Sequence, residues 1–317
     1  MKSLILSSIL LLTACVNAQI LDDVWELSEL NDPNYTDAYP YLTDDGLRIY
    51  FTSNDGMGNN LFFSSRPDLD TDFASKQLLD STLFSNILSS WLTPDELEMY
   101  FTNYIGLFHV TRPTTTSPFG TVTEITLVGG NTAFISGPSL APGGDELYLY
   151  NGDGLLEFEY TNDTTYTFVS EVLPPLGYGG GVGQLSKDGL ELYWSLNLIG
   201  SDLHSLFIAE RSSLGTSFSN PVQMNSLINV ANINNSQPSY ATAANALVWV
   251  RNDLPLWEGN QLYVAQASEV SVVELGPESK ELVKIVDLLG RETNYVPGVV
   301  LIYVYSDGST EKRFGME

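Results

Sequence analysis

The chain is poor in the residues from which most reactive centres are built. Of its 317 residues one is cysteine, Cys15, and two are histidine, His109 and His204. The single cysteine lies in the N-terminal leader, so the rest of the chain has no disulfide and no thiolate. The two histidines are too few and too far apart to make a histidine-rich zinc site. Basic residues are scarce: 13 Lys and Arg stand against 39 Asp and Glu, a net charge of −26. Such a surface repels phosphate backbones and anionic bilayers, which excludes nucleic acid as an expected partner. It would attract a cation, but acidity by itself chiefly secures solubility. Nothing after the leader approaches the ~18 uninterrupted apolar residues of a membrane-spanning helix, so no transmembrane segment is expected. There is no G-x-S-x-G nucleophile elbow. The glycine-rich run GYGGGVG at 177–183 lacks the Lys-Ser/Thr of a phosphate loop and precedes a strand. It is expected to bend the chain into that strand and leave Tyr178 exposed at a rim.

What is present is a core-forming composition, 43% hydrophobic and only 16% charged, behind an address segment. Residues 1–18 read as a signal peptide, with Lys2 before an apolar stretch at 4–12 and small residues, Val16-Asn17-Ala18, before Gln19. A second reading stays open. LTAC at 12–15 resembles a bacterial lipobox, which would leave Cys15 lipidated.

The remainder is built on a repeat. LTDDGLRIYF at 42–51 recurs as LTPDELEMYF at 92–101, LAPGGDELYL at 140–149, LSKDGLELYW at 185–194 and, worn, as YATAANALVW at 240–249. The phase residues Tyr50, Tyr100, Tyr148, Tyr193 and Val248 are spaced by roughly fifty residues, the period of a propeller blade. In each copy a third apolar strand follows, starting at Leu61, Leu107, Leu155, Leu206 and Leu262. Three of these run into Arg66, Arg112 and Arg211. A more polar fourth strand is expected from near Phe73, Phe119, Tyr166 and Phe218. Gly46, Gly144 and Gly189 suit the φ > 0 corner of a tight turn, and Asp45 and Asp188 suit its hydrogen bonds. Asn245 is expected to replace the glycine in the fifth copy, and Glu96 to loosen the turn of the second. These recurring aspartates read as structure, not as a catalytic set. Five copies supply only four intervening fourth strands. Residues 24–30, VWELSEL, alternate apolar and polar, so they are expected to close the last blade from the N-terminus, with 270–275 as the competitor. The fold class is therefore all-β: a five-bladed propeller of four-stranded blades over 19–267, read as a monomer. The repeat resembles the TolB-type, WD-like β-propeller repeat. That resemblance implies the fold and leaves the function open among protein-binding, glycan-handling and accessory roles.

Residues 268–280 read as a linker, and 281–317 as a small β unit with strand-like runs at 283–288 and 299–305. VKIVDLLGRE at 283–292, LIYVYSDG at 301–308 and the Lys-containing end resemble the short form of the C-terminal sorting domain of the Bacteroidetes type IX secretion system. By that resemblance Asp287, Gly290, Arg291, Asp307, Gly308 and Lys312 carry the sorting signal. The partner would be outer-membrane export machinery, and the destination secreted or cell-surface. This favours cleavage after Ala18 over lipidation. An ordinary terminal hairpin is the alternative.

Candidate ligand residues are few. Trp194 and Trp249 sit in second strands, where packing claims them. Trp91, Trp257 and Tyr178 are the better ligand candidates, and Asp37 is the one acid near the expected axial ring. Asp68, Asp70 and Asp72 alternate as in a calcium loop, but Phe73 stands where that loop needs glycine and Leu79 where it needs glutamate. No cofactor is otherwise expected. Three functions follow: a secreted binding module for a glycan or protein, a glycoside hydrolase or lyase with paired carboxylates, or a structural adhesion accessory. The scarcity of acids at the first-strand positions weighs against the enzyme.

Overall fold

Each sequence repeat folds into one antiparallel meander. The computed structural model describes residues 21–54, 58–84, 86–162, 164–252, 259–267, 282–287, 290–294, 296, 299–305 and 310–314, and every regular element among them is a strand. The chain divides into two compact units, Met1–Ser268 and Glu269–Glu317.

In the first unit, β1 (Asp23–Glu26) precedes blade 1, which is β2 (Thr36–Leu42), β3 (Arg48–Asn54), β4 (Asn59–Ser65) and β5 (Gln77–Leu78). Blade 2 is β6 (Ile87–Leu92), β7 (Glu98–Asn103), β8 (Leu107–Thr111) and β9 (Thr123–Val128). Blade 3 is β10 (Ser136–Leu140), β11 (Glu146–Tyr150), β12 (Leu155–Asn162) and β13 (Thr165–Val172). Blade 4 is β14 (Tyr178–Leu185), β15 (Glu191–Leu198), β16 (His204–Glu210) and β17 (Val222–Gln223). Blade 5 is β18 (Asn234–Ala241), β19 (Ala246–Asn252) and β20 (Gln261–Gln266), completed by β1. The N-terminal strand thus closes the ring, with Trp25 opposite Val264, as the alternation at 24–30 implies. The competing segment 270–275 lies outside the described residues. The inner strands β2, β6, β10, β14 and β18 each lie against the next, and β18 returns to β2. Blades 2 and 3 also join at their outer edges, where β9 and β13 pair in parallel, so neither edge is left as a template.

Apolar faces meet between blades. Phe51 and Ile49 of blade 1 bury against Val248, Val250 and Val264 of blade 5, and Tyr193 of blade 4 stacks on Tyr240 of blade 5 with ring centres 4.4 Å apart. Trp194 and Trp249 are buried in this packing, as expected.

The turns after the inner strands share one form. The amides of Gly46, Glu96, Gly144, Gly189 and Asn245 donate to the carbonyls of Thr43, Thr93, Ala141, Ser186 and Thr242. All five residues have positive φ, Glu96 at 57° and Asn245 at 46°. The second turn is therefore not looser. Glu96 accepts the left-handed conformation because its carboxylate is held by Arg48 at 2.9 Å, by Arg112 at 3.3 Å and by the Tyr50 hydroxyl at 3.1 Å. Asp45, Asp95 and Asp188 accept bonds from the neighbouring hydroxyl and from the amide two residues on, which is a structural role.

The arginines complete the unit. Nε of Arg66, Arg112 and Arg211 donates to the carbonyl of Gly46, Glu96 and Gly189 at 2.9, 2.8 and 2.7 Å. Each guanidinium lies over the ring of Phe73, Phe119 or Phe218, 4.5–4.7 Å from the centroid. These aromatics precede the fourth strands, of which β5 and β17 have only two residues each and β9 six. In blade 3, Tyr160 stands in the arginine's place and the Tyr166 hydroxyl donates to the Gly144 carbonyl at 2.9 Å. Arg112 and Arg211 also reach the preceding blade, at the hydroxyls of Tyr50 and Tyr148.

In the second unit, β21 (Leu282–Val286), β22 (Val300–Tyr305) and β23 (Thr310–Phe314) form an antiparallel sheet. Asp287 and Arg291 make a closed turn. The Arg291 amide and Nε donate to the Asp287 carboxylate at 2.9 and 2.8 Å, and Gly290 takes φ 79° between them. Lys312 is exposed on β23, while Asp307 and Gly308 lie outside the described residues.

Replacing Arg211 by alanine removes the ion pair to the half-buried Glu146 carboxylate, 2.7 Å from it, and leaves the Gly189 carbonyl without its arginine donor. The expected loss is about 3 kcal/mol, read as a lower urea midpoint. Arg211→Lys should recover little of it, because an ammonium lacks the planar fork.

Candidate functional site

The antiparallel register sends all blade-to-blade connections and all second-to-third-strand loops to one end of the ring, here the loop face. The turns described above occupy the opposite turn face.

Between the faces the axis is filled. Every inner strand carries a bulge, at the same level in blades 1, 3 and 5 and nearer the loop face in blades 2 and 4. At three of them a residue with positive φ precedes proline: Tyr39 at 49°, Gly137 at 59° and Gln237 at 55°. A left-handed non-glycine residue there costs strain, which surrounding bonds must hold. The Tyr39 amide donates to Gln237 Oε1 at 2.7 Å and the Gly137 amide to Ser89 Oγ at 2.7 Å. The Tyr39 hydroxyl crosses to Ser136 Oγ at 3.3 Å. What remains is a cavity of about 20 Å³, room for a single water. Ser90 Oγ and Gln184 Oε1, both buried beside it, have no protein partner. No carboxylate lines this cavity.

On the loop face, above Tyr39, lies a larger pocket of about 330 Å³. Thr36, Thr52, Asn54, Asn59, Gln237 and Asn260 supply its polar walls, and among the described residues no charged side chain lines it. Asn260 is 2% exposed; its Oδ1 accepts from Asn252 at 2.9 Å, while its Nδ2 is without a partner. Asn54 Nδ2 donates to Asn59 Oδ1 at 2.6 Å. Carboxamides offer a donor and an acceptor on one rigid group, the complement of a vicinal hydroxyl pair. Loop tips of blades 2 to 4 are apolar and exposed: Ile105 and Phe134 each by 83%, and also Tyr104, Leu176 and Ile199.

The residues singled out from sequence are dispersed. Asp37 is fully buried, 3.3 Å from Lys76, and does not line the axis. Burial pushes its carboxyl above the usual range, and Ser53 and Lys76 pull the other way. Trp91 is 5% exposed, edge-on to Tyr41 and Tyr100, so it is a wall and not an open stacking platform. Tyr178 is half-buried against Phe207 instead of standing free at the rim. The glycine run behind it is itself the inner strand β14, because Trp194 packs over Gly180 and donates to the Gly181 carbonyl at 3.0 Å. Asp68, Asp70 and Asp72 are exposed, with Asp68 accepting from Thr71 at 2.6 Å. Among the described residues no three His, Cys, Asp or Glu gather as a metal site. Trp257 and Cys15 lie outside the described residues.

The pocket asparagines were missed, although a signal existed. Every second strand has an asparagine at or within one residue of its end, at Asn54, Asn103, Asn151, Asn197 and Asn252. Asn103 and Asn151 bind the amides of their own loops. In blades 1 and 5 the same position turns towards the pocket-lining Asn59 and Asn260.

No protein-family model matches the chain, and no curated protein matches it in sequence. Among solved structures it is similar to a protein described as TolB from Agrobacterium tumefaciens, with 12% identity over 91% of this chain and 86% of that one, TM-score 0.44. It is also similar to a thermostable family-43 glycoside hydrolase, with 12% identity over 72% and 88%, TM-score 0.48. A third likeness is to the β-propeller domain of Swd1 from Myceliophteria thermophila, with 9% identity over 73% and 83%, TM-score 0.40. Likeness at this level concerns the fold alone, a β-propeller.

Gln237→Leu removes the acceptor of the Tyr39 amide beneath the pocket. The expected loss is about 1–3 kcal/mol of stability, measured by chemical denaturation.

Proposed function

We propose that the chain is an exported β-propeller that binds a neutral glycan in the loop-face pocket. The observation that carries this reading is the partner-free Nδ2 of the buried Asn260, in a pocket whose polar side chains, among the described residues, are carboxamides and hydroxyls. A sugar's hydroxyls satisfy such groups without the desolvation cost of a charge. Glycoside hydrolysis canonically uses two carboxylates flanking the scissile bond, and among the described residues neither the pocket nor the axial cavity is lined by one. A protein partner is the second reading, favoured by the exposed apolar tips at Ile105, Phe134 and Ile199. Export by a type IX-like route, with the C-terminal unit as the sorting element, belongs to the same proposal. The Asp287–Arg291 turn supports it as a compact, exposed feature.

The test passes the full chain over immobilised neutral polysaccharides and assays released reducing ends in the same samples. Retention without release is expected. Asn260→Ala and Asn59→Ala should each weaken retention about tenfold, roughly 1.4 kcal/mol. Each also removes an acceptor, of Asn252 and Asn54 in turn, so retention is compared at a temperature where circular dichroism shows both variants folded. Release of reducing ends, or retention indifferent to both substitutions, would overturn the proposal.

For the export claim, the segment 268–317 is fused to a periplasmic reporter in a bacterium that has the type IX route. Surface delivery is expected, and Arg291→Ala should abolish it. Delivery unaffected by that substitution would leave the Asp287–Arg291 turn without a sorting role.

A further inference from the structure

The turn face holds a second cavity, of about 260 Å³, between blades 2, 3 and 4. Trp91, Thr93, Glu98, Tyr100 and Pro142 form its walls, and Lys187 lines it from the turn of blade 4. The lysine crosses to blade 1, where its ammonium lies 4.0 Å from the centre of the Tyr41 ring and 6.0 Å from that of Trp91. It donates to the Tyr41 hydroxyl, which in turn donates to the Leu92 carbonyl.

The comparison with Lys76 is instructive. That lysine also lies over aromatic rings, those of Tyr35, Phe51 and Phe62, but a carboxylate, Asp37, faces it. Lys187 has no carboxylate at ion-pair distance among the described residues. Asp44 and Glu96 act on it from further away, and Glu96 is already engaged by Arg48 and Arg112. Burial keeps the Tyr41 phenol neutral, so it supplies no counter-charge. Burial likewise draws the lysine down to about 7, with Asp44 and Glu96 opposing. Glu98, held by His109 at 2.9 Å, and Tyr100 are the other titratable groups lining the cavity.

We propose that Lys187 is an amine nucleophile that captures a small aldehyde in this cavity as an imine. The neutral amine attacks the carbonyl carbon and the C–N bond forms. Both amine protons leave with the carbonyl oxygen as water, giving the C=N bond with no external oxidant or reductant. The aromatic and proline walls suit an aldehyde with an uncharged ring, and they shield the imine from water.

The experiment treats the full chain with benzaldehyde and cyanoborohydride between pH 6 and 10, then maps the modified lysines by mass spectrometry. Burial draws Lys187 down to about 7, so at pH 7 far more of it is neutral than of an ordinary lysine. Lys187 should therefore be labelled at least about tenfold faster than Lys284 or Lys312. Its rate should rise through pH 7 and then level, while theirs climbs towards pH 10. Tyr41→Phe should change the Lys187 rate and leave those of the other lysines alone. Equal labelling of all lysines, or a Lys187 rate still climbing above pH 9, would overturn the proposal. The wild-type chain alone decides this, and the result is independent of whether the loop face binds a glycan.

Discussion

The carbonyl at the left-handed corner of each blade is the point on which the ring depends. A positive φ turns that carbonyl inward, away from water, and something must donate to it. In blades 1, 2 and 4 the donor is an arginine held flat over an aromatic ring; in blade 3 it is a tyrosine hydroxyl. The same guanidinium reaches the preceding blade in two cases, so one side chain fixes both the turn and the seam. Buried arginines are costly unless every neighbour is placed, which is why turn, aromatic and acid recur together. Blade 5 lacks the arginine and joins differently: Ala243 and Ala244 donate from their backbone to Asp44 of blade 1, at 3.1 and 2.9 Å. A side chain at Gly46 would collide there with Ala244, its Cβ only 2.7 Å away, so the small residues of the worn repeat are part of the closure.

This arrangement separates two kinds of surface. The turn face is tied down by turn aspartates and arginines and is conformationally committed. The loop face has no such fastening; its loops are organised by the asparagine at or near the end of each second strand. Function is then free to vary at the loop face while the frame is unchanged. The axis carries neither channel nor acid pair, because the bulges bring Tyr39, Gln237 and Ser89 inward to satisfy one another.

The architecture was legible because it is repeated. Five copies in one phase, an arginine after the third strand and an alternating N-terminal segment specify blades, seam and closure. Where one residue broke the pattern, reading it alone misled. Glu96 seemed to loosen a turn, yet its ion pairs with Arg48 and Arg112 lie in another strand and at another repeat's edge. Asp37 seemed axial because its strand is inner, but strand position does not fix the face once a bulge reverses the alternation. The glycine run at 177–183 reads in sequence as a bend because its partner, the Trp194 indole, comes from a different strand. The pocket residues escaped for a related reason: asparagine at a strand end reads as a turn former, and only register brings Asn54 and Asn59 together, or Asn260 under Asn252.

Hydrogen–deuterium exchange of the full chain, with and without a neutral polysaccharide that retains it, tests the central claim most directly. The account predicts slowed exchange at the loop face, in residues 36–39, 52–54 and 259–261, with the turn face unchanged. Protection confined to the turn face around 93–100 and 140–144 would contradict it.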